Sequence, residues 1–170
     1  MKPLLAGLFC SAVIGVPAFS QNTGAAATSD QAFIDLAAQT DMTEAHLGQL
    51  AETQSSSQAV KDFAQMLVTD HTNDYNQLTA LAAKAGLTVP KGLDAKQDKM
   101  IAPFEKLKGA AFDKRFARAM VSGHETAIAA YNKESRDGQN ADLKTYATQT
   151  IPTLEKHRTA AQGLEKGGGK

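Results

Sequence analysis

Apolar residues recur along most of the chain at steps of three and four, the period of a helix with one buried face. The stripe is clearest in the run Val60, Phe63, Ala64, Leu67, Tyr75, Leu78, Leu81, Ala82, which ends at the stop signal Gly86. An earlier stripe reads Phe33, Leu36, Ala37, Thr40, Glu44, Leu47, Leu50, Ala51 behind the N-cap chemistry of Ser29 and Asp30, and Ser55-Ser56-Ser57 separates the two. Leu93 to Leu107 predicts a short crossing helix with Met100, Phe104 and Leu107 on one side, although Pro103 weakens it. A third long helix follows Gly109 and runs to about Arg136, with Phe116, Met120, His124, Ala127, Ile128 and Tyr131 in register. After the turn signal Asp137-Gly138, a fourth runs from Asn140 to Leu164 through Leu143, Ala147, Thr150, Leu154, His157 and Ala161. Pro152 is expected to kink it, because proline removes an amide donor and crowds the carbonyl one turn back. No stretch alternates with the period of a strand. The pattern predicts an all-α fold: a four-helix bundle over residues 30–165, with a short extra helix in the middle connection.

Each long stripe carries a titratable side chain where the period calls for an aliphatic one. These are Glu44, His71, His124 and His157, one per helix, with Asp70 beside His71 and Asp74 one turn on. Counting residues from the connecting turns at 1.5 Å per residue puts Glu44 and His71 about 6 Å apart in height, and His124 and His157 about 7 Å apart. The four groups therefore suit one layer at mid-height. Three imidazoles and a carboxylate can hold a single transition-metal ion, with Zn or Cu fitting the donor set better than a di-iron centre. The same residues equally suit a hydrogen-bonded polar layer without a metal, in which Glu44 pairs with a protonated histidine and Thr40, Thr150 and Tyr75 serve as partners. His46 falls off the stripe and is expected outside. Met120, one turn from His124, suits copper chemically but more often fills a core.

The N-terminus changes the picture of where the protein works. Lys2, the apolar run Leu4 to Val16 and the small residues of Ala18-Phe19-Ser20 read as a signal peptide over residues 1–20, with cleavage after Ser20 and a periplasmic or secreted product. Cleavage there discards Cys10, the single cysteine, and with it disulfide and thiolate chemistry. Stable membrane insertion is not expected after cleavage, which removes the apolar run, and that run is itself short for an uncleaved anchor. Residues 21–29 are small and polar and are expected to form a flexible arm, and residues 166–170 a flexible tail. Removing Lys2 leaves 17 basic and 18 acidic residues. No basic face with interleaved aromatics appears, so nucleic acid is not an expected partner; a second copy or another envelope protein is.

The landmarks Met42-Thr43-Glu44 with Leu47-Gly48 and Leu50-Ala51, Val60-Lys61-Asp62-Phe63-Ala64, Asp70-His71, Gly109 with Phe112-Asp113, Met120-Val121 with His124, and Pro152-Thr153-Leu154 with His157 occur in this order. In this arrangement the chain, over nearly all of residues 32–161, resembles an exported bacterial family, domain of unknown function 4142. Phe116 stands where that family often has Tyr. The resemblance implies a ferritin-like four-helix fold and supplies no function. Ferritin-like di-iron enzymes use Glu-x-x-His on two helices. That spacing is absent here, so ferroxidase chemistry is not expected, and no catalytic motif appears. Two functions stay open: an exported metal-binding protein with one mononuclear site, or a structural or stress-associated interaction module with a buried Glu/His layer.

Overall fold

The breaks in the apolar pattern become helix caps, and the caps fix how the helices turn back on one another. The structure, a computed structural model, describes residues 23–167. They form α1 (Thr23–Gln54), α2 (Gln58–Ala85), the short α3 (Ala95–Glu105), α4 (Gly109–Asp137) and α5 (Ala141–Gly167). Ser57 caps α2 by accepting the Val60 amide. Gly86 closes α2 at φ 69°, a left-handed conformation that glycine adopts without a Cβ penalty. Asp94 caps α3 by accepting the Lys96 and Gln97 amides at 2.8 Å each.

Helix α1 starts at Thr23, where a flexible arm over residues 21–29 was expected. The run Ala25-Ala26-Ala27 has the highest helix propensity of any residue type and lets the helix extend past its expected cap. Asp30 is used for a different helix. Its carboxylate accepts the Gln139 and Asn140 amides at 3.1 Å each, holding the α4–α5 turn against α1. At the other end, α5 runs through Pro152 and reaches Gly167, so Lys166 and Gly167 belong to the helix and not to a tail. The signal peptide of residues 1–20, Cys10 and residues 168–170 lie outside the described residues. Among the described residues, no helix is long and apolar enough to cross a membrane.

Side-chain bonds trace the crossover. Gln31 accepts the Thr88 amide, Gln39 accepts the Asp94 amide, and Gln54 donates to the Glu105 carbonyl. The middle connection therefore runs back along α1 before α4 begins beside the α1–α2 turn, where Asp113 accepts the hydroxyls of Ser55 and Ser56. As a result α2 and α4 run the same way, opposite to α1 and α5. This is a ferritin-like four-helix bundle with one long crossover. Helices α1 and α2 form one hairpin, α4 and α5 the other, and the hairpins meet through α1 with α4 and α2 with α5.

The core is divided in two. One cluster gathers Phe33, Ile34, Leu78, Tyr131, Leu143 and Tyr146 near the start of α1. The other gathers Leu47, Phe63, Leu67, Phe104, Phe112 and Phe116 toward its end. Between them lies a buried layer of Asp41, Glu44, His71, His124 and His157. Burying so many ionisable groups costs free energy unless each is paired, so their pairing decides what the layer is.

Candidate metal centre

The four residues expected to share a layer do share it. His71 on α2 and His124 on α4 each place Nε2 beside the same oxygen, Glu44 Oε2 on α1, at 3.0 and 3.2 Å. His157 on α5 places Nδ1 3.2 Å from His124 Nε2. The three histidines bring their ligand nitrogens within 4.8 Å of one another, and all three rings are buried. Glu44 thus touches two of the rings directly and joins the group through them.

The far side of each ring is anchored on an acceptor. His71 Nδ1 lies 2.9 Å from Asp41 Oδ1, His124 Nδ1 lies 2.8 Å from the Met120 carbonyl, and His157 Nε2 lies 2.9 Å from Asp70 Oδ2. A carbonyl or carboxylate oxygen only accepts, so each of these nitrogens carries the proton. In the neutral rings the lone pairs then reside on the inner nitrogens, His71 Nε2 and His124 Nε2, which face Glu44 Oε2, and His157 Nδ1, which faces His124. Metal-ligating histidines are oriented in this way, by giving the outer N–H to a carboxylate or carbonyl.

Hydrogen bonding leaves the inner face incomplete. His71 Nε2 and Glu44 Oε2 are both buried, and neither is aligned for a hydrogen bond despite their 3.0 Å separation. The contact is therefore one of charge rather than a directed bond. His124 Nε2 and His157 Nδ1 face each other at 3.2 Å, which without an added proton sets two lone pairs together. An ion at the 2.0–2.1 Å typical of Zn–N bonds would hold tetrahedral donors about 3.3 Å apart. The contacts at 3.0 and 3.2 Å are close to that spacing. Donor type and these three spacings suit a transition-metal ion held by the three rings, with Glu44 beside two of them.

Protons compete for the same position. Burial disfavours the charged form of His71, but the charge of Glu44 and the hydrogen bond to Asp41 outweigh it and raise this ring to about 10. Burial likewise opposes ionisation of Glu44, yet the charges of His71 and His124 hold the carboxyl below its usual range. Asp41 is pushed up by burial to about 7 in spite of His71. His124 and His157 go the other way. Burial lowers both, His157 to about 4 although Asp70 supports its charged form. Without a metal the layer is thus one imidazolium, His71, set between Asp41 and Glu44, beside two neutral rings.

Several partners differ from those expected. Thr40 donates to the Leu36 carbonyl and Tyr75 to the Pro90 carbonyl, so neither serves the layer. Asp41, Asp70 and the Met120 carbonyl take their place. His46, expected outside, is half-buried and stands apart from the three rings. Met120 fills the core with its thioether while its carbonyl orients His124.

A groove of about 290 Å³ between α1, α3 and α4 reaches Glu44 and is lined also by Met100, Met120, Gly123 and Lys96 among others, with none of the three histidines in its wall. Met100 is 43% exposed there. A Cβ at Gly123 would stand 2.8 Å from Glu44 Oε1, so glycine is what leaves room for the carboxylate. If Glu44 is a metal ligand, Gly123→Ala, by displacing its carboxylate, should weaken metal affinity about tenfold, the lower end for changes around a metal ligand. Competition with a chelating dye measures this, and unchanged affinity would show that the position of Glu44 set by Gly123 does not matter for binding.

The fold and the layer define an all-α bundle with a buried imidazole–carboxylate centre. The chain belongs to the family described as domain of unknown function (DUF4142), whose family model matches residues 16–164. Among curated proteins nothing matches. Solved structures with a similar fold include a DUF305 fragment from Deinococcus radiodurans, at 15% identity and TM-score 0.71, covering 81% of this chain and 95% of that one. They also include CopM in its Cu(II)-bound form, at 14% identity and TM-score 0.69, and in its Cu(I)-bound form, at 11% and 0.67, each covering 81% of this chain and 96% of that one. At these identities the likeness is one of fold.

Proposed function

We propose that the protein is an exported metal-binding protein that holds one transition-metal ion between His71, His124 and His157, with Glu44 as the carboxylate ligand. The observation that carries this is the orientation of the rings. All three outer nitrogens are tied to acceptors, His71 Nε2 and His124 Nε2 face Glu44 Oε2, His157 Nδ1 faces His124, and the three rings bring one nitrogen each within 4.8 Å of one another. The donor set suits copper or zinc. The similar fold of CopM, solved in two copper-bound forms, makes copper the first ion to test. No catalytic step is assigned.

A second reading has one observation in its favour. His71 already sits between two carboxylates, as the imidazolium of a structural polar layer would. In that case the protein is an interaction module and the layer only sets helix register. Titration of untagged protein with Cu²⁺ and Zn²⁺ in a denaturant melt separates the two. A bound ion should raise stability as RT ln(1 + [L]/Kd), about 2.7 kcal/mol when free ion is 100 times Kd. A midpoint that neither ion moves supports the module.

Export rests on the leader. Protein recovered from the cell envelope should begin at Gln21 by N-terminal sequencing, whereas a product that retains Cys10 would overturn the assignment.

A further inference from the structure

Glu44 is one of two acidic residues that α1 sends into the layer. Asp41 lies three positions earlier on the same face, and α2 mirrors this spacing with His71 and Asp74. Because α1 and α2 are antiparallel, a step from Glu44 back to Asp41 matches a step from His71 on to Asp74. Three residues at 1.5 Å place the second level about 4.5 Å from the first. Asp41, His71 and Asp74 bring one ligand atom each within 4.8 Å of one another. His71 belongs to both levels: its Nε2 faces Glu44, and its Nδ1 faces Asp41 at 2.9 Å.

One observation shows that this second level is unfinished. Asp41 is 2% exposed, and its Oδ2 is buried with no hydrogen-bond partner, while Oδ1 takes the His71 contact. An unpartnered buried carboxylate oxygen is costly, and a single cation would serve Asp41 and Asp74 together, where a proton relieves only one of them. The two phenols Tyr131 and Tyr146, 3.3 Å apart, are buried within the electrostatic reach of both carboxylates.

We infer that Asp41, Asp74 and the Nδ1 edge of His71 form a second cation site, selective for a divalent ion and joined to the first through the His71 ring. It rests on the metal-binding reading of the first centre. Two carboxylates and one nitrogen make it the harder of the two sites, favouring Zn²⁺ over Cu(I). On loading, the ion replaces the Nδ1 proton, which leaves to solvent, and the ring bridges the two ions.

Equilibrium dialysis against Zn²⁺ counts the ions. Full-length mature chain should bind two per molecule, Asp74→Asn one, and His124→Gln one, since Asp74 serves only the second site and His124 only the first. Circular dichroism confirms that each variant folds. With Cu²⁺ in place of Zn²⁺, the bridge should reduce the electron paramagnetic resonance intensity of the two-ion form below that of two independent spins. One ion in both wild type and Asp74→Asn would overturn the second site and leave the first standing. An unchanged count in His124→Gln would instead remove the reading on which it rests. Two ions retained in Asp74→Asn would also overturn the proposal, by placing the second ion elsewhere.

Discussion

Glu44→Gln should lower the unfolding free energy of the metal-free protein at pH 7 by about 3–5 kcal/mol, the usual cost of removing one partner from a buried ion pair. The reason is local. Glu44 Oε2 is the shared neighbour of His71 Nε2 and His124 Nε2, and it is the largest favourable influence on the charge of His71. The glutamine amide keeps the shape but not the charge, and the His71 imidazolium is left with Asp41 alone. This loss follows from the metal-free layer whether or not an ion ever binds. The metal-binding reading adds a second effect. Stabilisation of the wild type by Cu²⁺ or Zn²⁺ should shrink in the variant, because a charged ligand has gone. Denaturant melts of both proteins, with chelator and with each ion, measure the two effects separately. An ion that stabilises wild type and Glu44→Gln equally would exclude Glu44 as a ligand, and an unchanged metal-free midpoint would contradict the ion pair itself.

The centre and its supports were legible to different degrees in the one-dimensional pattern. Glu44, His71, His124 and His157 each interrupt an apolar stripe, and a side chain on a stripe points at the core whatever its chemistry. The capped turns then set the heights, so four residues on four helices converge. Asp41 was missed because the first stripe is drawn through Thr40, and at 100° per residue both positions fall within the buried arc. Its signal was the three-residue step to Glu44. Asp70 adjoins His71 in sequence, yet its contact is with His157 on α5. That depends on how α2 is rotated against α5, which no single-helix period contains. The Met120 carbonyl is backbone and leaves no mark in a side-chain pattern, although it lies one turn before His124. The early start of α1 has the opposite cause: small residues read as an arm are also strong helix formers when a neighbouring helix continues from them.

The affinity of the centre for its ion should climb about tenfold per pH unit from pH 7 toward pH 10, because one proton is displaced for each ion bound. That proton belongs to the trio of Asp41, His71 and Glu44. It is retained above neutrality, with His71 raised to about 10 once the charge of Glu44 and the Asp41 hydrogen bond outweigh burial. The other two rings set the acid side. His124 and His157 are lowered by burial, His157 to about 4, so the folded state favours them neutral. Between roughly pH 6.5, the ordinary value for histidine, and pH 4 these two rings bind more protons in the unfolded chain than in the folded one, so their contribution to stability rises with pH in this window, while Asp41, raised by burial to about 7, acts against it. It is present above 6.5 and lost as pH falls through 4, and His157 alone accounts for on the order of 3 kcal/mol of it. The raised His71 acts in reverse: its contribution is present below 6.5 and is lost as pH rises through about 10. The three rings together therefore contribute most near pH 6.5, and loaded protein should hold its ion best in mild alkali. Chelator competition at pH 6, 7, 8 and 9 tests the slope. Glu44→Gln removes the main cause of the raised His71 and should flatten it. An affinity that does not vary with pH in the wild type would mean that no histidine proton is displaced, and that the inner nitrogens do not receive the ion.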